Sequence, residues 1–398
     1  MNREALVLRN RSMTAAYHQT PLKHQVRRSL LRLVAGVPFL PMKSTGSNRI
    51  LVIRPDHLGD VLLTTPAIHA LRQALPHTEI HALVGPWSAS VLANYPEIDL
   101  VLTLPFPGFS RHPKDNWRSP YQLAWSTARH LRQIGYNSAV VFRPDHWWGA
   151  LVTYLAGFPE RIGYNLTDTA PFLNHKLDHQ HSHTVTQSLR LVEKWTGVVQ
   201  PQKAVYRFPV DPVDRAYIEG YLHEWGIKPS EHIICIHPGS GTRVKQWQDE
   251  KWALVADTLT EQLDARVIFT GSDHEIHLVR RITSHMKNPA VIIAGETQVG
   301  QLAALFARSQ VVIGPDSGPL HLAAAVDTPT VTLYGPADPF EFGPWGSSEK
   351  HLIVTSDIGC RPCRIIDWAD DPLENHPCVR EITIAQVLEA ARRAATSH

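Results

Sequence analysis

No GxGxxG turn occurs in this chain of 398 residues, and no GxxxxGK[ST] run either. The first absence removes the glycines that let a dinucleotide lie on a strand-to-helix turn, so an NAD enzyme is disfavoured; the second removes the P-loop. No DxD motif stands near the polar turns described below, so a divalent ion has no obvious carboxylate pair there. Charge of one sign is not in excess. Lys plus Arg 39 against Asp plus Glu 37 leaves +2, which argues against wholesale nucleic-acid binding. Long apolar runs are missing too. The longest candidate near the start falls well short of the about 20 residues that span a bilayer, and arginines interrupt it, so it is neither a membrane span nor a secretory signal. The chain is expected to be cytoplasmic, with peripheral contact at the cytoplasmic face of the inner membrane. Cysteine is scarce at 4, with Cys235 in a predicted strand.

What charge there is lies unevenly. Residues 1–49 carry nine Lys or Arg and one acid, Glu4, so a basic leader of +8 precedes a body of −6. Within it, HQVRRSLLRLVAGVPFLP places Val26, Leu30, Leu33, Val34 and Val37 at helical spacing beside Arg27, Arg28 and Arg32. That pattern suits an anionic membrane surface, or a helix packed on the protein's own first domain; residues 1–22 are open to disorder.

Further on, apolar runs end repeatedly in Gly, Pro, Asp or His and give way to helical patterns. ILVIR (50–54), IHALV (80–84) and AVVFR (139–143) form one set; IICIH (233–237), RVIFT (266–270), VVIG (311–314) and TVTLY (330–334) form another. Continuous apolar strands alternating with helices imply parallel sheets buried on both faces. The proline-rich stretch 198–212 reads as a linker. The expected class is α/β, with a leader at 1–47, a first Rossmann-like domain at 48–205 and a second at 206–398, whose last helix is a candidate to pack back on the first. Ligands in such sheets bind beyond the strand C-termini.

Several polar turns follow those strands. Arg54-Pro55-Asp56-His57 ends one strand and Arg143-Pro144-Asp145-His146 ends another, an internal echo that puts Arg54, His57, Arg143 and His146 on the acceptor side. Leu58-Gly59-Asp60 comes next, where Asp60 is either a general base or a helix cap, and the helical pattern that follows is either kinked at Pro66 or starts there with Thr65 as cap. IHPGSGTRVKQW offers Ser240 and Lys245 as a diphosphate clamp, solvated loop cations being the alternative. VVIGPDSGPLHLAAA runs from a strand through Asp316 and Ser317 into a helix at Gly318. Unpaired N–H groups and the partial positive charge at such a terminus suit an anion, and small residues let a phosphate come close. Cys360-Arg-Pro-Cys363 with His376 and Cys378 has spacing compatible with zinc or iron, but reduced thiols are the expectation and no metal is assigned. His175, His179, His181 and His183 read as a surface loop.

Taken in order, the LGD, PGS…K.W and DSGPxHLAAA blocks resemble glycosyltransferase family 9, which contains the ADP-heptose:lipopolysaccharide heptosyltransferases, over about residues 48–390. The resemblance implies a GT-B fold and a metal-independent, inverting transfer with no cofactor. Asp60 matches the catalytic base. Ser240 and Lys245 match phosphate contacts, while Asp316, Ser317, Gly318 and His321 match the donor-sugar and diphosphate loop. Because a carboxylate beside a diphosphate is repulsive, Asp316 is expected on sugar hydroxyls or backbone N–H groups. The implied partners are a nucleotide sugar, ADP-heptose in the first place, and a lipid-linked oligosaccharide acceptor. The same fold with another nucleotide sugar or a protein acceptor, or a noncatalytic nucleotide-sugar-binding protein, is the alternative.

Overall fold

The structure, a computed structural model, describes residues 2–19, 21–37, 48–109, 116–368 and 371–396, with the Lys23 side chain left out. The chain forms two compact units, residues 20–205 and residues 206–398 together with 1–19.

The amino-terminal unit contains strands β1 (Arg49–Arg54), β2 (Glu79–Val84), β3 (Leu100–Thr103), β4 (Ser138–Val141), β5 (Glu160–Tyr164) and β6 (His175–Leu177). They make one parallel sheet in the order β3-β2-β1-β4-β5-β6. Its helices are α2 (Leu22–Ala35), α3 (Leu58–Leu62), α4 (Thr65–Ala74), α5 (Ala89–Leu92), α6 (Ser119–Ile134), α7 (Trp147–Leu155) and α8 (Thr184–Thr196); α1 (Arg3–Tyr17) belongs to the other unit. Ile50 to Ile53 are all buried, because a central parallel strand has both faces covered.

The carboxy-terminal unit repeats the plan. Strands β7 (His232–Ile236), β8 (Ala265–Phe269), β9 (Val291–Ile292), β10 (Val311–Pro315), β11 (Thr330–Tyr334) and β12 (His351–Thr355) lie in the order β12-β11-β10-β7-β8-β9, again parallel. Around them are α9 (Pro212–Glu224), α10 (Asp249–Leu263), α11 (Ile276–Ser284), α12 (Val299–Arg308), α13 (Gly318–Ala325), α14 (Pro339–Phe342) and α15 (Ile384–Ala395). In both units the first and fourth strands are neighbours and the order reverses between them, which is where open α/β sheets bind ligands.

Five strands escaped the sequence patterns, namely β3, β5, β6, β9 and β12. Four are sheet edges. An edge strand needs less apolar surface, and Leu100–Thr103 and His175–Leu177 have no fully buried residue. The helical pattern after LGD also differs in detail: it is two helices, with Thr64 rather than Thr65 in the cap position and Pro66 in the first turn of α4.

The leader departs most from expectation. Residues 3–17 are helical, capped by Asn2, and docked on the carboxy-terminal unit. Arg9 forks onto Asp371 at 2.7 and 3.1 Å, and the buried Asn10 gives its Nδ2 hydrogen to the Asn375 carbonyl at 2.7 Å. The second helix, α2, packs on the amino-terminal unit, where Leu31 joins the core and Tyr154 donates its hydroxyl to the Ala35 carbonyl at 3.0 Å. The last helix, α15, packs on α10 and on β10, β11 and β12 of its own unit.

Candidate functional site

The two RPDH tetrapeptides stand side by side. Strand β1 pairs with β4, with Ile53 opposite Val141, so Arg54 and Arg143 leave adjacent strands at the reversal point. Asp56 is buried between both arginines, with Arg54 Nε 2.7 Å from its Oδ2 and the Arg143 guanidinium on its Oδ1. Burial alone would push the Asp56 carboxyl up, but Arg54 and Arg143 hold it below its ordinary value. Burial likewise works against the Arg143 cation, and Asp56 and Asp145 more than restore it. Arg54 also reaches Asp60, Nη2 to Oδ1 at 3.3 Å. Asp60 lies in the first turn of the five-residue α3, after His57 at the cap position, and its side chain keeps 36 % exposure. It is therefore a carboxylate open to solvent, fixed from behind by an arginine that is itself fixed by Asp56. His57 is exposed, its ring 5.6 Å from that of Trp87. His146 is instead buried, its ring edge-on to Phe106 and Phe109, and neither nitrogen has a hydrogen-bond partner.

In the carboxy-terminal unit, β10 pairs with β7, so the PGS loop after β7 and the DSGP turn after β10 meet although 75 or so residues of chain separate them. The approach is close. A Cβ on Gly314 would lie 2.4 Å from the His237 carbonyl oxygen, so that position needs glycine for space, whereas one on Gly239 would meet only the end of the Glu275 side chain. Ser317 takes the cap position of α13 without spending its side chain there: Ser317 Oγ has no hydrogen-bond partner, nor has Thr242 Oγ1 or His321 Nδ1. Pro319 in the first turn has no N–H to leave unpaired. Unpaired hydroxyls around a helix start that carries partial positive charge can receive an anionic ligand.

Two residues there have partners that sequence did not indicate. Asp316 is not on backbone N–H groups; its Oδ2 lies 2.5 Å from Lys245 Nζ, a largely buried ion pair. Ser240 turns its hydroxyl inward, donating to the Thr242 carbonyl at 2.7 Å. Sequence did not single out Asp56, His237 with its 2.9 Å bond to Thr270, or Glu275, which caps the turn at Ser272. The RPDH echo carried the signal for Asp56, since the repeat pairs each arginine with an acid two residues on.

Burial keeps several imidazoles neutral. His146 is lowered to about 3, His321 to about 4 and His351 to about 4, from an ordinary 6.5. Between those values and 6.5 the unfolded chain binds protons that the folded one refuses, so stability is complete above about pH 6.5 and falls as pH drops toward 4. Each group contributes a slope of up to about 1.4 kcal/mol per pH unit. The urea midpoint is expected to fall between pH 7 and pH 5, with a shallower slope in His351→Gln. An unchanged midpoint would mean that these rings titrate as in water.

Cys360, Cys363 and Cys378 line one small cavity with His376, Asn10 and Trp368. Burial pushes the Cys363 thiol up and the Cys378 thiol up to about 12, favouring the protonated forms. His376 faces Asp371 at 2.6 Å and stacks on Trp368, and among the described residues these side chains do not bring three ligand atoms within 4.8 Å of one another. Cys235 is buried in β7 as expected of a strand residue. Of the histidine-rich segment, His175 opens β6 and His183 caps α8, so only part of it is loop.

Comparison with known proteins bears on the family and the fold. The family model described as glycosyltransferase family 9 (heptosyltransferase) matches residues 124–369, more than half of the chain. Lipopolysaccharide heptosyltransferase 2 of Escherichia coli K12 is 26 % identical over 353 residues, covering 86 % of this chain and 97 % of that protein. Among solved structures, a glycosyltransferase family 9 protein from Veillonella parvula superposes with a TM-score of 0.73 at 23 % identity, covering 91 % of this chain and all of that one. The E. coli ADP-heptose lps heptosyltransferase II superposes with a TM-score of 0.67 at 22 % identity, over 87 % and 98 %. The two six-stranded parallel sheets are thus the GT-B fold of the heptosyltransferases. From the match over residues 124–369, with relatives aligned along nearly their whole length, the chain belongs to glycosyltransferase family 9.

Proposed function

We propose that this protein moves a heptose from ADP-heptose to a hydroxyl of a lipopolysaccharide inner-core acceptor, with inversion at the anomeric carbon and without a divalent ion. The observation that carries the reading is the start of α13, where Ser317 Oγ at the cap and His321 Nδ1 in the first turn are unpartnered and Lys245 is held at the same turn by its ion pair with Asp316. A nucleoside diphosphate is the ligand that such a cluster suits. The E. coli relative described as an ADP-heptose lps heptosyltransferase II supports the choice of donor.

The chemistry follows from the residues. The Asp60 carboxylate takes the proton from the acceptor hydroxyl as that oxygen forms its bond to C1. The bond from C1 to the diphosphate oxygen breaks on the opposite face, and negative charge grows on the departing ADP. Lys245 and the N-terminus of α13 meet that charge. Lys245 is shared with Asp316, whose second oxygen remains for a sugar hydroxyl. His321 is neutral near pH 7, so it offers a hydrogen bond rather than a charge.

A direct test incubates the purified protein with ADP-, UDP- and GDP-sugars and a heptose-lacking core acceptor, following nucleoside diphosphate release and the anomeric configuration of the product. Release of ADP from ADP-heptose with an inverted product is expected, and chelator should leave the rate unchanged. Preference for a uridine or guanosine donor, or a retained configuration, would refute the assignment. Binding of ADP-heptose with no turnover on any acceptor would point to a noncatalytic role.

A further inference from the structure

Helix α2 is amphipathic in the opposite sense to a helix that packs on a core. At 3.6 residues per turn, Leu22, Val26, Leu30, Leu33 and Val37 fall on one side, and His24, Arg27, Arg28, Leu31 and Ala35 on the other. A helix on a soluble protein turns its apolar side inward. Here the polar side is turned in. Arg28 Nε meets Asp168 Oδ1 at 2.5 Å, Arg27 lies over the Trp147 ring at 4.7 Å, and Leu31 alone of the leucines is buried. The apolar ridge is left outside, with Leu22 74 %, Leu30 59 % and Leu33 71 % exposed.

A second strip adjoins it. Trp117, Tyr121 and Trp125 recur every four residues into α6 and are exposed, Trp117 by 74 %. The Tyr121 ring is 6.3 Å from Trp147, the ring beneath Arg27, so the aromatic strip and α2 flank the same side chain. Residues 21–37 and 116–134 carry Lys23, Arg27, Arg28, Arg32, Arg118, Arg129 and Arg132, and no Asp or Glu. With Arg27 and Arg28 held by Asp168 and Trp147, an aliphatic ridge, Trp and Tyr at its flank and the remaining cations of these two segments make the composition that a bilayer interface takes: apolar groups at the acyl boundary, aromatic rings among headgroups, Lys and Arg against anionic lipid.

We propose that the outward face of α2, together with Trp117, Tyr121 and Trp125, docks the amino-terminal unit on an anionic lipid bilayer. This reverses the sequence expectation for Arg27 and Arg28, which serve the protein side of the helix, while the leucines and valines enter the interface. It deepens the reading above, because a lipid-linked acceptor lies at such a surface, yet its test does not require transfer to occur. Attachment through one short helix and a few rings is shallow and reversible.

The test is co-sedimentation of the full chain with vesicles of phosphatidylglycerol and phosphatidylethanolamine, against vesicles of phosphatidylcholine alone. Wild type is expected to partition onto the anionic vesicles, less so at high salt. Leu30→Glu with Leu33→Glu should lower the partition coefficient about tenfold or more, and Trp117→Ser with Trp125→Ser should lower it in the same direction. Both double variants should keep the wild-type circular dichroism and ADP affinity, which separates lost docking from lost folding and from failure of the donor assignment. Arg28→Gln should leave partitioning close to wild type. Equal partitioning of wild type and Leu30→Glu/Leu33→Glu would overturn the proposal. So would light scattering that shows wild type as an oligomer and this variant as a monomer with no vesicle binding by either, because the ridge would then be a contact between copies of the chain.

Discussion

Asp60→Asn is expected to lower the transfer rate by about two orders of magnitude or more while the affinity for ADP-heptose stays at the wild-type value. Asparagine keeps the shape of the side chain and an oxygen for the Arg54 Nη2 contact, 3.3 Å in the native protein, so the turn after β1 should persist. What it loses is the negative charge, and with it the basicity, that takes the acceptor proton. The effect therefore belongs in kcat, and pre-steady-state transfer measured beside ADP-heptose titration separates the two quantities. Turnover near that of wild type would remove Asp60 from the role of base. Arg54→Met offers a second measurement at the same site: with the carboxylate present but unsupported, a smaller loss of kcat is expected, accompanied by lower stability because Asp56 loses one of its two cations.

Lys245→Ala should have two large effects with different causes. The Asp316 carboxylate, whose side chain is 8 % exposed, would lose the ammonium 2.5 Å away, and an uncompensated buried charge costs about 3–5 kcal/mol. ADP and ADP-heptose would bind more weakly as well, because a cation facing the diphosphate has gone. Lys245→Met with Asp316→Asn distinguishes the causes. That double variant leaves no unpaired charge, so the urea midpoint should recover most of the loss, whereas ADP affinity should remain low and adenosine affinity should hardly change in either variant. If adenosine binding falls as far as ADP binding, Lys245 contacts the nucleoside and the diphosphate assignment fails.

The legible parts of this fold were those where one residue pattern has one physical meaning. The apolar runs in ILVIR and VVIG exist because both faces of a central strand are covered, and they appear as β1 and β10, each one residue longer than the pattern. His175–Leu177 and Val291–Ile292 are strands only because a neighbour supplies the hydrogen bonds, and nothing in three or two residues announces that neighbour. The same distinction governs the sites. The small residues Ser317 and Gly318 declared a helix start. That Lys245 would be held by Asp316 depends on β7 lying beside β10, a pairing between segments far apart in the chain.

Sequence by itself determined the class of the fold, two units of alternating strand and helix, because periodicity and turn composition are local properties of the chain. It also determined which turns carry carboxylate, hydroxyl and cation. Tertiary structure decided how those groups are spent. It buried Asp56 between the arginines of two tetrapeptides that sequence could only note as similar, turned Ser240 into its own loop, and left His146 neutral in an aromatic pocket. It also divided the leader, sending Asn10 into one unit and Leu31 into the other, and turned the apolar side of α2 outward. Helical spacing states that a helix has two faces; which one meets the protein is set by the partners already there, and Asp168 and Trp147 drew the arginines of α2 inward.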